Sequence, residues 1–167
     1  MKQFSILAAV FILILAACTY DAPITEEHSI PIDQALLGMW KALPGDDQDP
    51  GDMEQLLVLK FSDTEYQIHH IDGDSAIYFR GYAIEVEGVP AVQLQFLGDD
   101  DGPVDETAEE RYSVVSYQLV NGELEVSELN TDLVDEDLET SEAIRQAFVA
   151  HKDNKDLFTN PMLFRKI

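Results

Sequence analysis

Cysteine occurs once in the 167 residues, so the chain can form no internal disulfide. Cations are scarce: 10 Lys and Arg stand against 33 Asp and Glu, a formal charge of −23. A chain this acidic lacks the basic footprint that replaces counterions on a phosphate backbone, which excludes ordinary nucleic-acid binding. Nine glycines and seven prolines are too few for collagen-like or low-complexity architecture. Gly-X-Ser-X-Gly, a phosphate-binding glycine loop and a dinucleotide fingerprint are all missing, so neither an enzyme nor a cofactor is expected. What the chain does have is 46% hydrophobic residues, which excludes a wholly disordered polypeptide despite the charge.

The one long apolar run, 4–17, follows Lys2 and is shorter than the roughly 20 residues a membrane-spanning helix needs, a pattern that reads as a secretory signal. It ends in Leu15-Ala16-Ala17-Cys18. That sequence resembles the lipobox of bacterial lipoproteins. The resemblance implies removal of residues 1–17 and acylation of Cys18 on its sulfur and its new amine. Several acyl chains, each gaining about 0.8 kcal/mol per buried CH₂, anchor where one chain would not. Thr19, where retained lipoproteins carry Asp, implies by the same resemblance the periplasmic face of an outer membrane. Residues 18–33, with two prolines and no periodicity, read as a lipidated N-terminus and flexible tether.

Residues 34–167 have the size of one domain. Short strands are expected at 35–43, 53–61, 64–71, 75–85, 89–97, 111–120, around Leu124 and Val126, and after Pro161 in the segment 157–167. Asn121-Gly122 is a strong hairpin signal, because both residues tolerate positive φ in a type I′ turn. One helix, capped by Thr140 or Ser141, carries Ile144, Ala147 and Phe148 on one face. The expected fold is therefore mainly β: an eight-stranded antiparallel up-and-down barrel with one α-helix before the last strand.

Gly38-Met39-Trp40 at the first strand resembles the Gly-X-Trp motif of lipocalins and related calycin barrels. In that family a basic residue packs across the tryptophan, and the resemblance assigns that role to Arg165, with Gly38, Trp40 and Arg165 forming a closed end. In typical lipocalins the helix follows the eighth strand; here it precedes the last. The resemblance implies a small apolar or amphipathic ligand inside the barrel, lined by Leu57, Leu59, Phe79, Val92, Leu94, Phe96, Val115, Tyr117 and Leu124. Those residues would equally fill a solid core.

Other constellations are weaker. His69 and His70 point to opposite faces of a strand and cannot chelate one ion together. No metal site is expected; the acidic runs 47–51 and 99–102 lack the Gly and Glu positions of an EF-hand loop. Lys60 and Arg80 lie inside apolar strands, either as surface charges or with one directed into the barrel toward an anionic headgroup. In this topology the long connections share one end, and 46–54, 99–110 and 132–142 carry five, seven and six acids, more than half of the 33. The tether is expected to leave from the opposite, tight-turn end, with the acidic rim facing away from the membrane. Two functions follow: a lipid-anchored carrier of a neutral or cationic ligand, or a non-enzymatic module whose acidic rim binds a basic protein or cations.

Overall fold

The structure, a computed structural model, describes residues 19–44, 53–105, 107–109 and 111–167. Cys18, the signal segment and the acidic run 47–51 lie outside the described residues. Nine strands are present among those described: β1 (Gly38–Ala42), β2 (Gln55–Lys60), β3 (Tyr66–Asp72), β4 (Ser75–Val86), β5 (Val89–Asp99), β6 (Gly102–Pro103), β7 (Tyr112–Val120), β8 (Glu123–Leu129) and β9 (Phe158–Lys166). Helix α1 (Ser141–His151) precedes β9, and a single 3-10 turn spans Gln34–Leu36. Every pairing is antiparallel. β6 is a two-residue stub on β5; the other eight strands pair in chain order, and β9 returns to β1. The sheet is thus a closed eight-stranded barrel, the architecture expected from the hairpin spacing.

Local chemistry explains the corners. Asn121 and Gly122 both adopt positive φ, 54° and 84°, and join β7 to β8 directly. Gly98 has φ +149°, and a Cβ there would come within 2.8 Å of Pro103 Cα, so only glycine lets β6 fold back on β5. Thr140 caps α1, its hydroxyl oxygen accepting from Ala143 N at 3.2 Å.

The strand phases differ from expectation at two places. On β2 it is Leu56 and Val58 that point inward; Leu57 is half-buried and Leu59 is 40% exposed on the outer face. The run Leu56-Leu57-Val58-Leu59 is apolar throughout, so alternation could not set its phase. On β9 the inward residue is Phe164, which puts Lys166 in phase with it and turns Arg165 outward.

The outer wall of the barrel carries a second core. Tyr82, Ile84 and Val86 of β4, Ala91 of β5 and Val114 of β7 face out and are covered by Ile144 and Phe148 of α1 and by Tyr20 and Ile24. This explains why β4 reads as apolar on both faces, as a strand buried on both sides must. Residues 20–33 are therefore no free tether. Tyr20 bridges to Tyr112 and donates its hydroxyl to Val134 O at 2.7 Å. The segment then crosses β5 and β4, where His28 lies over the Tyr82 ring, and ties Ile32 N to Asp63 O at 3.0 Å. Tyr20, two residues after Cys18, meets the first residue of β7 and the 130–140 connection. The expectation that the chain enters from the tight-turn end is overturned, because the strap reaches that end only at Ile32.

Candidate functional site

Inside the barrel lies a cavity of about 60 Å³. Val92, Leu94, Val115, Tyr117 and Leu124 line it. Leu57 and Leu59 do not, being on the wrong face; Leu56 and Val58 take their place, joined by Tyr66, Ile68 and Val126. Phe79 and Phe96 meet with ring centroids 5.9 Å apart and pack against the same interior cluster, beside the cavity rather than in its wall. A drug-sized ligand needs about 300–1,000 Å³. This interior is largely filled, with room for about five non-hydrogen atoms.

The tight-turn end is shut. Trp40 is 1% exposed and donates its indole N–H to Leu36 O at 2.8 Å. The cation across its face is Lys166, whose Nζ lies 5.1 Å from the ring centroid and donates to Ala35 O at 3.1 Å. Arg165, expected there, points out with its side chain 64% exposed and pairs with Glu123 at 2.7 Å. Gly38 has a direct reason: its φ is +129°, and a Cβ would stand 2.9 Å from Lys166 Cε, in the path of the lysine stem. Asp33 adds a polar latch, its N–H donating to the Tyr66 hydroxyl at 2.6 Å while Tyr117 donates to its carboxylate at 3.3 Å. Burial pushes the Tyr117 hydroxyl up to about 12.

Toward the opposite end polar side chains gather, although the surface they leave open is apolar. His70 Nε2 and Glu54 Oε2 are 2.8 Å apart. Glu128 is 5% exposed; Asn160 Nδ2 donates to its Oε2 at 3.3 Å, while Oε1 is buried with no hydrogen-bond partner among the described residues. These three side chains, with Leu56, Val126, Met162 and Phe164, enclose a space of about 10 Å³. Leu56 and Val126 also line the larger cavity and stand between the two spaces. The sequence sets His70 opposite His69 without assigning His70 or Glu128 to the interior. The available signal was parity: Glu128 follows Leu124 and Val126 by twos, and His70 follows Tyr66 and Ile68. His69, as expected, faces the other way, edge-on to Tyr78 at 4.8 Å.

Lys60 and Arg80 are both surface groups. Lys60 pairs with Asp63 at 2.6 Å; Arg80 lies 4.2 Å over Phe61 and pairs with Glu65 at 3.3 Å. Among the described residues no three His, Cys, Asp or Glu side chains converge as a metal site. Asp100 instead ties β5 to the β3–β4 hairpin, accepting from Ala76 N at 2.8 Å.

Burial pushes the Glu128 carboxyl above its ordinary range, against a smaller lowering by Asn160. The folded protein therefore keeps that proton at pH values where the unfolded chain has released it. Stability is highest below the ordinary Glu range and falls as pH rises through the window up to the raised value. Glu128→Gln should raise stability by about 1–3 kcal/mol near neutral pH, where the unpaired carboxylate costs most. The gain should vanish at about pH 4. Thermal melts at the two pH values check this, and a gain independent of pH would contradict it.

Comparison with protein-family models, with curated proteins and with solved structures finds no match.

Proposed function

We propose that the protein is a non-enzymatic carrier held at the bacterial cell envelope by lipid on Cys18, taking a small apolar or amphipathic molecule into its barrel. The observation that carries this reading is the apolar cavity inside the barrel, whose tight-turn end is plugged by Trp40 under Lys166. Its volume sets the size class: a short molecule rather than a long acyl chain. The acids of the long connections set the sign, favouring a neutral or cationic ligand over an anion. The lipobox resemblance supports the envelope location. With Tyr20 packed on the barrel, the lipid then holds the acidic connections near the membrane rather than away from it.

The test is a titration of the full chain with n-butanol, followed by methyl NMR. Resonances of Val58, Val92, Val115 and Leu124 should move together and saturate. The affinity should not change with salt, because apolar burial drives it and screening acts on exposed charges. Val58→Leu, which fills part of the cavity, should weaken it. If no lining methyl responds, the carrier reading fails and the acidic rim, tested with a basic peptide at low and high salt, becomes the better account.

A further inference from the structure

We propose that the open edge of β7 at residues 116–120 takes up an extended, basic segment of a partner protein as an added strand. The ladder between β5 and β7 runs only from Gln95–Tyr112 to Val92–Val115. Continued in register, the next residue of β5 to face β7 would be Pro90, which has no N–H to give. Val86 and Ala91 instead hold the β4–β5 tip in the outer core with Ile144 and Phe148 of α1. β7 itself runs on to Val120. The Asn121-Gly122 turn makes Val120 and Glu123 the hydrogen-bonded closing pair of the β7–β8 hairpin. By alternation Tyr117 and Leu119 then turn their N–H and C=O groups away from β8, toward the side that β5 has left. Exposure agrees. Leu119 is 39% exposed and Pro90 is exposed, although both fall on the inward phase of their strands.

An unpaired strand edge is a template for another chain, which gains main-chain hydrogen bonds by adding to it. The side chains of an added strand follow the phase of β7. Those opposite Tyr117 and Leu119 face inward, on the side of Val92, Val115 and Tyr117, where apolar groups are suited. Those opposite Gln118 and Val120 face out, and the charge around the edge selects cations for them. Glu85 stands opposite Pro90, Glu125 stands opposite Gln118, and Asp33 accepts from the Tyr117 hydroxyl at 3.3 Å. Among the described residues none of these three carboxylates pairs with a cation. A second copy offering the same edge would set like charges against each other. The edge is also clear of the N-terminal segment: Leu119 lies about 23 Å along β7 from Tyr112, where Tyr20 is seated.

The experiment titrates the full chain with a short peptide of alternating valine and lysine, followed by amide NMR and hydrogen exchange. The Tyr117 and Leu119 amides should shift together, and their exchange should slow by about tenfold or more at saturation. The same peptide N-methylated at every residue keeps its charge but cannot donate to a strand. It should bind about tenfold more weakly, the ratio that a lost hydrogen bond supplies. A peptide of alternating valine and glutamate should not bind. Leu119→Pro removes one donor that points away from β8 and leaves the β7–β8 ladder its bonds; it should also weaken binding by about tenfold. The N-methylated peptide tests the same point on the unmutated protein. Equal affinity of the methylated and unmethylated peptides overturns the proposal, because charge alone then holds the peptide. Absence of binding, or shifts that leave Tyr117 and Leu119 unmoved, overturns it too. Protection of these two amides that rises with protein concentration, without peptide, would make a second copy the occupant and overturn the basic partner.

Discussion

Trp40→Ala is expected to destabilise the barrel by about 3–5 kcal/mol, the range for removing a fully buried large side chain from a core that collapses only in part. Trp40 packs with Leu36, Leu56 and Phe164 and holds the 3-10 turn through its bond to Leu36 O, so its loss opens the closed end as well as removing apolar burial. The neighbouring cations separate two accounts of that end. Lys166→Ala should cost about 0.5–1 kcal/mol through the lost cation–π contact. Arg165→Ala should change stability by less than about 1 kcal/mol, as an exposed pair with Glu123 does. Denaturant unfolding of the double mutants should show coupling between Trp40 and Lys166 and additivity between Trp40 and Arg165. The reverse pattern would mean that Arg165, not Lys166, covers the Trp40 ring.

Gln93→Ala is expected to cost about 2–4 kcal/mol, because it strands buried groups on the partner side as well as removing a side chain. Gln93 is 0% exposed although it sits on the outer face of β5. Its Oε1 accepts from Ile24 N at 2.6 Å and Thr25 N at 3.4 Å, and its Nε2 donates to Thr25 O at 3.3 Å and to the Tyr82 hydroxyl. One amide thus fastens the strap to the barrel wall, and burial beneath it holds the Tyr82 phenol well above its usual range. Hydrogen exchange at Ile24 should accelerate sharply in Gln93→Ala while exchange in β1 and β2 changes only with global stability. Gln93→Glu should not rescue it, since a carboxylate cannot donate to Thr25 O. A neutral Gln93→Ala with unchanged exchange at Ile24 would mean that apolar packing alone holds the strap.

Both predictions concern residues whose roles were unevenly legible beforehand. Trp40 stood out as the single tryptophan beside Gly38 at the start of a strand. Its cation was misassigned by one position, because Arg165 and Lys166 are adjacent and only the pairing of β9 with β1 and β8 sets which of them faces in. Clean alternation along β5 puts Gln93 on the outward face, where it lies. What alternation does not carry is whether the outward face meets water or another piece of the same chain. The strap illustrates the same limit. Tyr20, Ile24 and Ile32 are isolated apolar residues with no period, and they have partners only once β3, β4, β5 and β7 have assembled.

By itself the sequence determined the number and order of the eight barrel strands, though not the stub β6, the helix before the last one, and the tight turns, because those rest on local rules: two-residue periodicity, positive φ at Asn121-Gly122, a threonine cap. The cleanly alternating strands also declared their inward residues, Val92, Leu94, Val115, Tyr117 and Leu124. Only the tertiary structure decided the phase of the uniformly apolar β2, the cation over Trp40, the seating of residues 20–33 on the wall, and the meeting of Glu54, His70 and Glu128 at one end of the interior. Those outcomes depend on closure. Joining β9 to β1 fixes every register at once, and residues far apart in the chain come to share a cavity for which no short window of sequence holds the pattern.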